Sequence, residues 1–354
     1  MTMTITEIEE IAGADVWATE QLVLCSDERL GLRAVIAIDD SALGPALGGV
    51  RYASYPTAGA GVLEARRLAR AMTLKNACAE LPYGGAKSVI FRDSDDESQR
   101  ADLMMRFGEF VARAGCYLPG VDMGTGTEDL RWMQAGGADV PSVEVNPSPS
   151  TAIGVLHAIR AAVRVHPDLP GLQGTCMVIH GVGQVGSALA RALADAGAEL
   201  ILSDVDGDRA RVLASELGAS TVAPELAVTA PADVFIPCAT ARLIGHDVVN
   251  ALNCRLIVGA ANDLLVDDSV AGSLADAGIV YVPDFIANAG GVVDIDVRRR
   301  RGTEAQLAEA LSAIGDRTAV LLEESLRRGE TPLRCAQRLA QTRISAARRE
   351  GIAR

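Results

Sequence analysis

The sequence predicts an α/β protein of two domains, and three observations carry that expectation. The chain has 354 residues, and chains beyond about 250–300 residues split into domains rather than grow one core. Beyond residue 165, short apolar runs alternate with segments of helical period, the pattern of a doubly wound parallel sheet. A Pro/Ser-rich segment at 141–149 separates this region from a first half of different texture and reads as a hinge. The expected domains are 1–146 together with a C-terminal helix at about 330–354, and 147–329.

The elements follow in order. Residues 21–25 and 32–39 are β-rich apolar runs separated by SDERLG, a hairpin. The Gly-rich stretch 43–49 reads as a turn. Residues 59–80 place Val62, Ala65, Leu68, Ala69 and Met72 at helical spacing, with Lys75 in the last turns. Residues 81–87 read as a loop entering a short strand at 88–91. An acidic surface stretch at 93–97 leads to a helix ending near residue 114, and 120–127 reads as a Gly-rich loop carrying Asp122. A helix is expected at 150–165. Strands are expected at Cys176–His180, 200–204, Val234–Pro237, 256–259 and 280–283, with helices such as 187–196 and 208–217 between them. From residue 303 on, two long helices are broken near 329–332.

Composition narrows the function. The formal charge is −13, which argues against a nucleic-acid backbone or an anionic membrane as partner. No apolar run reaches the roughly 18–20 residues that span a bilayer, and the acidic start MTMTITEIEE lacks a signal peptide's apolar core. Seven scattered cysteines without C-x-x-C spacing read as reduced, mostly buried thiols of a cytoplasmic protein. Four histidines without H-x-x-x-H spacing give no reason to expect a metal. Of 33 basic side chains only Lys75 and Lys87 are lysines. Unlike Arg, Lys can lose its proton when buried, so these two positions draw notice.

Gly181-Val182-Gly183-Gln184-Val185-Gly186 follows the expected strand Cys176–His180 and opens a helix, and a second strand ends at Asp204, 18 residues later. This is the fingerprint of a dinucleotide-binding, Rossmann-type domain. The glycines serve the turn, the approach of the pyrophosphate and helix packing. Asp204 is expected to accept from the adenine ribose hydroxyls and to repel a 2′-phosphate, which favours NAD.

The blocks LGPALGGVR (43–51), AMTLKNA (71–77), LPYGGAKSVI (81–90), GVDMGT (120–125), NPSPSTAIGV (146–155), GVGQVG (181–186), PCA (237–239), GAAND (259–263) and PDFIANAGG (283–291) resemble the glutamate/leucine/phenylalanine/valine dehydrogenases in content and order. The resemblance implies an N-terminal α/β substrate and oligomerisation domain, a Rossmann-type NAD domain, a cleft between them, and a homo-oligomer, dimer or higher. It implies oxidative deamination of an L-amino acid to a 2-oxo acid and ammonia. Lys87 then matches the catalytic base and Asp122 the acid that holds the substrate amino group. Lys75 matches the binder of the α-carboxylate, with Asn288 as helper and the Gly48-Gly49 backbone close by. Asn262 and Cys238-Ala239 match positions flanking the nicotinamide ribose and carboxamide. The physics agrees: water addition needs a base near neutral pH, and a Lys beside another cation in a dry site has its pKa lowered toward that range.

Leu47, Gly120, Thr151, Val292 and Ile295 match the side-chain pocket. Glutamate members carry a lysine where this chain has Leu47, so a hydrophobic substrate is implied, branched-chain aliphatic first. The alternatives are phenylalanine, tryptophan or a non-standard amino acid of a specialised biosynthetic pathway, and a catalytically silent dinucleotide-binding protein. Three places depart from the family pattern: Ala86 stands for a third Gly before Lys87, a Gly-rich run is shortened to 143–145, and VVDIDVRRRRG (292–302) reads as a solvated Arg-rich turn at the pocket's edge.

Overall fold

The computed structural model describes residues 19–92, 98–141, 143 and 146–352. The acidic stretches at 1–10 and 93–97 and the residues 144–145 lie outside these. The chain forms two compact units: one holds the described residues up to Val143 and those from Ala340 on, the other Asn146–Leu339.

In the first unit, β1 (Gln21–Asp27) and β2 (Leu32–Asp40) form the expected antiparallel hairpin. Three further strands correct the sequence reading. The stretch taken as a turn is largely β3 (Ala46–Ala53); the loop before Lys87 is already strand in β4 (Gly84–Phe91); and Gly120 lies in β5 (Tyr117–Val121). The sheet order is β1-β2-β4-β3-β5, with β3 parallel to both β4 and β5.

Side chains alternate across a strand, and the register places Ala37 opposite Lys87, Leu47 opposite Gly85 and Gly49 opposite Gly120. Leu47, Gly49, Arg51, Lys87 and Gly120 therefore share one face, and Asp122 follows just past β5. On that face lies the helix Ala58–Cys78, capped by Thr57 Oγ1, which accepts from Ala60 N–H at 3.1 Å. Its Val62, Ala65 and Ala69 pack with Val35, Ala37 and Val89. On the opposite face Ala46, Val50, Ala86 and Ile90 join Met104 and Phe107 of the helix Arg100–Ala114 and Leu130 and Met133 of the helix Thr127–Ala135. Each such large side chain contributes about 1.5–3 kcal/mol by burial.

In the second unit β6 (Cys176–His180), β7 (Glu199–Ser203), β8 (Ser220–Thr221), β9 (Val234–Pro237), β10 (Leu256–Ile257) and β11 (Val280–Tyr281) are all parallel. Their order, β11-β10-β9-β6-β7-β8, is that of a doubly wound sheet whose direction of build-up reverses between β6 and β9. Several strands end sooner than read: Asp204 sits just beyond β7, and β10 and β11 are two residues each. The helix after β6 is Gln184–Asp195, starting inside the Gly motif. The helix after the Pro/Ser segment is Ser148–Val165.

The Arg-rich turn is also corrected. Residues Gly290–Arg299 form a helix in which Asp294 and Asp296 are buried. Asp294 accepts from Ser150 Oγ at 2.6 Å and Arg298 Nε at 2.7 Å, and Asp296 pairs with Arg300. The buried acids are thus i, i+4 partners of Arg298 and Arg300, while the arginines 298–301 are themselves exposed, as the sequence reading has them. The tail is two helices, Glu304–Arg328 and Pro332–Ile352. Among the described residues no helix is long and apolar enough to cross a membrane. The cysteines are free, but only Cys25, Cys78 and Cys335 are fully buried, and the other four are half-buried.

Candidate active site

Each unit carries a set of the residues singled out in the sequence. In the first, Lys87 is buried and its Nζ lies 3.0 Å from Asp122 Oδ1. Asp122 Oδ2 accepts from Arg51 Nε at 2.7 Å. Arg51 also pairs with Glu64 of the helix Ala58–Cys78, and Glu64 in turn meets Tyr55 Oη at 3.2 Å and Arg67 at 3.2 Å.

Close approach requires the glycine at position 49. A Cβ there would stand 2.8 Å from Asp122 Cβ and 3.1 Å from Lys87 Nζ. Beneath the Gly pair, the buried Tyr117 hydroxyl meets Ser88 Oγ at 2.8 Å and donates to the Gly48 carbonyl at 3.1 Å. The loop after β5 is stapled by Thr125, whose hydroxyl accepts from Asp122 N–H at 2.9 Å and donates to the Val50 carbonyl at 2.6 Å.

Ala86 does not disturb Lys87. Neighbouring residues on a strand face opposite ways, and Ala86 belongs to the core on the far side. Lys75 is half-buried in the last turn of the helix Ala58–Cys78. The end of that helix is fixed by Asn76, whose Nδ2 donates to the Gly84 carbonyl at 2.6 Å, and by Arg343, which donates to the Ala77 carbonyl at 2.8 Å.

The electrostatics follow from this packing. Burial pushes the Lys87 pKa below the ordinary lysine value; Asp122 opposes the shift, and the Arg51 guanidinium adds to it. The cation acting on Lys87 in this direction is therefore Arg51, whereas the sequence reading looked only to another cation nearby. For Asp122, burial alone would raise the carboxyl, but Lys87 and Arg51 outweigh it and hold it below the usual carboxylate range. The result is a half-buried carboxylate between two nitrogen donors, one of which sheds its proton more readily than a free lysine.

Sequence reasoning missed Arg51 and Glu64. Arg51 is one of 31 arginines. Its signal was its place two residues after Gly49, which puts it on the site face once 46–53 is seen as a strand. Leu47 is buried on the same face. A Cβ at Gly120 would meet only the Gly48 carbonyl oxygen, at 4.0 Å, so this position leaves room.

In the second unit, the loop 181–186 follows β6 at the switch point, beside Cys238-Ala239 after β9. Gly181 has φ +98°, and a Cβ on Gly186 would stand 1.9 Å from the Gly181 carbonyl oxygen. A Cβ on Gly183, at the head of the helix Gln184–Asp195, would meet nothing within 4 Å. A close-packed turn with open space above a helix N-terminus fits a pyrophosphate. Asp204 is buried and accepts from Val182 N–H at 2.8 Å and Asp206 N–H at 2.9 Å, with Arg209 at 3.5 Å. A carboxylate offers about four lone-pair directions, so it retains capacity beyond these bonds. The Cys238 thiol is pushed up to about 12 by burial and stays protonated.

Asn288 Nδ2 donates to the Ala260 carbonyl at 3.1 Å and to Asn262 Oδ1 at 3.0 Å. Its buried Oδ1 has no protein partner among the described residues. Asn288 therefore keeps one polar side-chain atom that the protein does not engage. Thr151 lies against Gly291, where a Cβ would stand 3.1 Å from its Oγ1. Val292 and Ile295 are half-buried on the helix Gly290–Arg299.

Comparison with known proteins bears on the family and the fold. Residues 20–136 match the Glu/Leu/Phe/Val dehydrogenase dimerisation domain, and residues 207–297 match the Glutamate/Leucine/Phenylalanine/Valine dehydrogenase domain. The chain is 36% identical to leucine dehydrogenase of Bacillus subtilis over 93% of its own length and 92% of that protein. It is 36% identical to valine dehydrogenase of Streptomyces virginiae, covering 95% of this chain and 96% of that one. The solved structure of L-tryptophan dehydrogenase from Nostoc punctiforme superposes with a TM-score of 0.81 at 31% identity, covering 97% of this chain and 99% of that one. At 36% identity to a leucine and a valine dehydrogenase over more than nine-tenths of its length, and with both domain models matched, this chain belongs to the glutamate/leucine/phenylalanine/valine dehydrogenase family.

Proposed function

We propose that this protein catalyses the reversible NAD-linked oxidative deamination of a hydrophobic L-amino acid to its 2-oxo acid and ammonia. The observation that carries the reading is the pair of buried Lys87 with half-buried Asp122 at 3.0 Å, in which the lysine's pKa is lowered and the carboxylate is held ionised. The bound dinucleotide supplies a hydride acceptor for the substrate α-carbon. Water must then add to the iminium carbon, and Lys87 Nζ takes its proton. Asp122 holds the substrate amino group and takes part in proton transfer to the departing ammonia. Lys75 binds the α-carboxylate beside the Gly48-Gly49 backbone. Asn288 Oδ1 and Asn262 serve the ligand's N–H and O–H groups.

NAD is favoured over NADP because Asp204, Asp206 and Asp208 cluster beyond β7, and Arg209, which pairs with the first two, is already engaged by both. The buried Leu47 and the half-buried Val292 and Ile295 favour branched aliphatic side chains. The open space at Gly120 supports a second reading, an aromatic substrate. A homo-oligomer in the cytoplasm completes the proposal, consistent with seven free thiols.

The test is NAD reduction with a panel of L-amino acids, paired with ammonia-dependent NADH oxidation by the matching 2-oxo acids. Leucine, valine or isoleucine should lead. Activity confined to glutamate would overturn the pocket assignment, and faster turnover with NADP would overturn the role of Asp204. If tryptophan or phenylalanine leads instead, Gly120→Val should move the preference to smaller side chains by roughly 10-fold or more, since one methylene is worth about 1–3 kcal/mol.

A further inference from the structure

We propose that Arg51, held by Glu64, is a positioning residue: it claims one carboxylate oxygen of Asp122, aims the other at Lys87, and sets the charge balance under which Lys87 acts. Three distances carry this. Arg51 Nε meets Asp122 Oδ2 at 2.7 Å, Lys87 Nζ meets Oδ1 at 3.0 Å, and Gly49 leaves only 3.1 Å between its missing Cβ and Nζ. The carboxylate therefore has a donor on each oxygen and cannot rotate without breaking both bonds. A bidentate-capable guanidinium suits this better than an ammonium, because its fork is planar and keeps its proton.

Glu64 completes the design from a different element. It reaches Arg51 from the helix Ala58–Cys78 and is itself held by the Tyr55 hydroxyl and Arg67. The charged groups bearing on Lys87 are thus Arg51 on β3, Asp122 after β5, and Glu64 on the helix, which also carries Lys75. The β2 neighbour of Lys87, Ala37, brings no charge. Asp122, Glu64 and Arg51 all act electrostatically on the base, and the two helpers act on it with opposite sign. Arg51 disfavours the ammonium, while Glu64 favours it both directly and by neutralising Arg51.

The inference rests on the proposed role of Lys87 but is testable without turnover. The chain has only two lysines, so protein labelled with 13C at lysine Cε gives two lysine signals, and Lys75→Arg assigns them. In a pH titration, Arg51→Gln should move the Lys87 midpoint up, and Glu64→Gln should move it down. In kinetics, the limb of kcat/KM that rises with pH should follow the same two directions. Arg51→Gln should cost about 10- to 100-fold in kcat with little change in KM, the size of loss expected from a misaimed catalytic group. Arg51→Lys should restore the midpoint more fully than the rate.

Unmoved midpoints, or both variants shifting the same way while NADH binding and melting temperature stay near wild type, would overturn the inference. Absence of turnover with every amino acid in the wild-type protein would instead overturn the proposed function and leave the titration to decide the role of Arg51.

Discussion

The two units build their candidate sites from different materials. Around Gly181–Gly186 the working groups are backbone: a turn with φ +98° at Gly181, a helix start, and an acid bonded to the Val182 N–H. Around Lys87 they are side chains from β3, β4, the end of β5 and a covering helix, joined as Glu64–Arg51–Asp122–Lys87. A site made of backbone depends on glycines at fixed spacing and binds by shape. A site made of side chains depends on register and burial, and it can tune protons. One unit is suited to holding a cofactor and the other to moving a proton.

This contrast can be broken by single substitutions. The largest effect should come from Lys87→Ala. Acid–base groups contribute about 10²- to 10⁴-fold, so kcat should fall by at least that range while NADH affinity, read by fluorescence, stays unchanged. Near-normal kcat would remove the chemical role from the first unit. The reverse dissociation should follow Gly183→Ala. Its Cβ meets nothing within the protein, so stability should stay within about 0.5 kcal/mol, while NADH binding weakens roughly 10-fold because a methyl occupies the pyrophosphate's approach. Unchanged binding would mean that the phosphates do not pass there.

The smallest effect is on stability, and it depends on pH. Asp122 is held below the usual carboxylate range, so the stability it contributes is present above its unfolded value and lost as pH falls through the folded one. Asp122→Asn should therefore cost about 1–3 kcal/mol at neutral pH, discounted from the usual penalty of breaking a buried pair because Lys87 can shed its proton. The gap to wild type should close in acid. A gap that is independent of pH in urea denaturation would show that the charge is not what stabilises the loop.

How far the sequence could be read follows the same division. The strands of the parallel sheet are apolar runs such as Met177, Val178 and Ile179, buried on both faces, and their chemistry matches their structure. The Gly motif was legible because it sits between a strand and a helix. In the first unit, β3, β4 and β5 were read partly as turns because they contain Gly48, Gly49, Gly84, Gly85 and Gly120. At Gly48, Gly49, Gly84 and Gly85 neighbouring chains and side chains come too close for a Cβ, a tertiary reason that local propensity does not carry. The same cause hid Arg51: without strand 46–53, nothing placed it on the face of Lys87. In 292–302 the acidic residues alternate with Val293 and Ile295, and only the helix showed them to be the i, i+4 partners of the arginines.

The strand β4 has a consequence for how mutations will behave. Its successive residues serve opposite masters: Ala86, Ser88 and Ile90 lie in the core or bond to Tyr117 beneath the sheet, while Lys87 faces the site. A slip of one position would carry a methyl into the site and a lysine into the apolar core. The packing on the far side is therefore an indexing device for the base. Substitutions there, such as Tyr117→Phe, should be judged by how faithfully they keep this strand in step, because a small loosening that barely lowers the melting temperature would be read out directly as lost turnover.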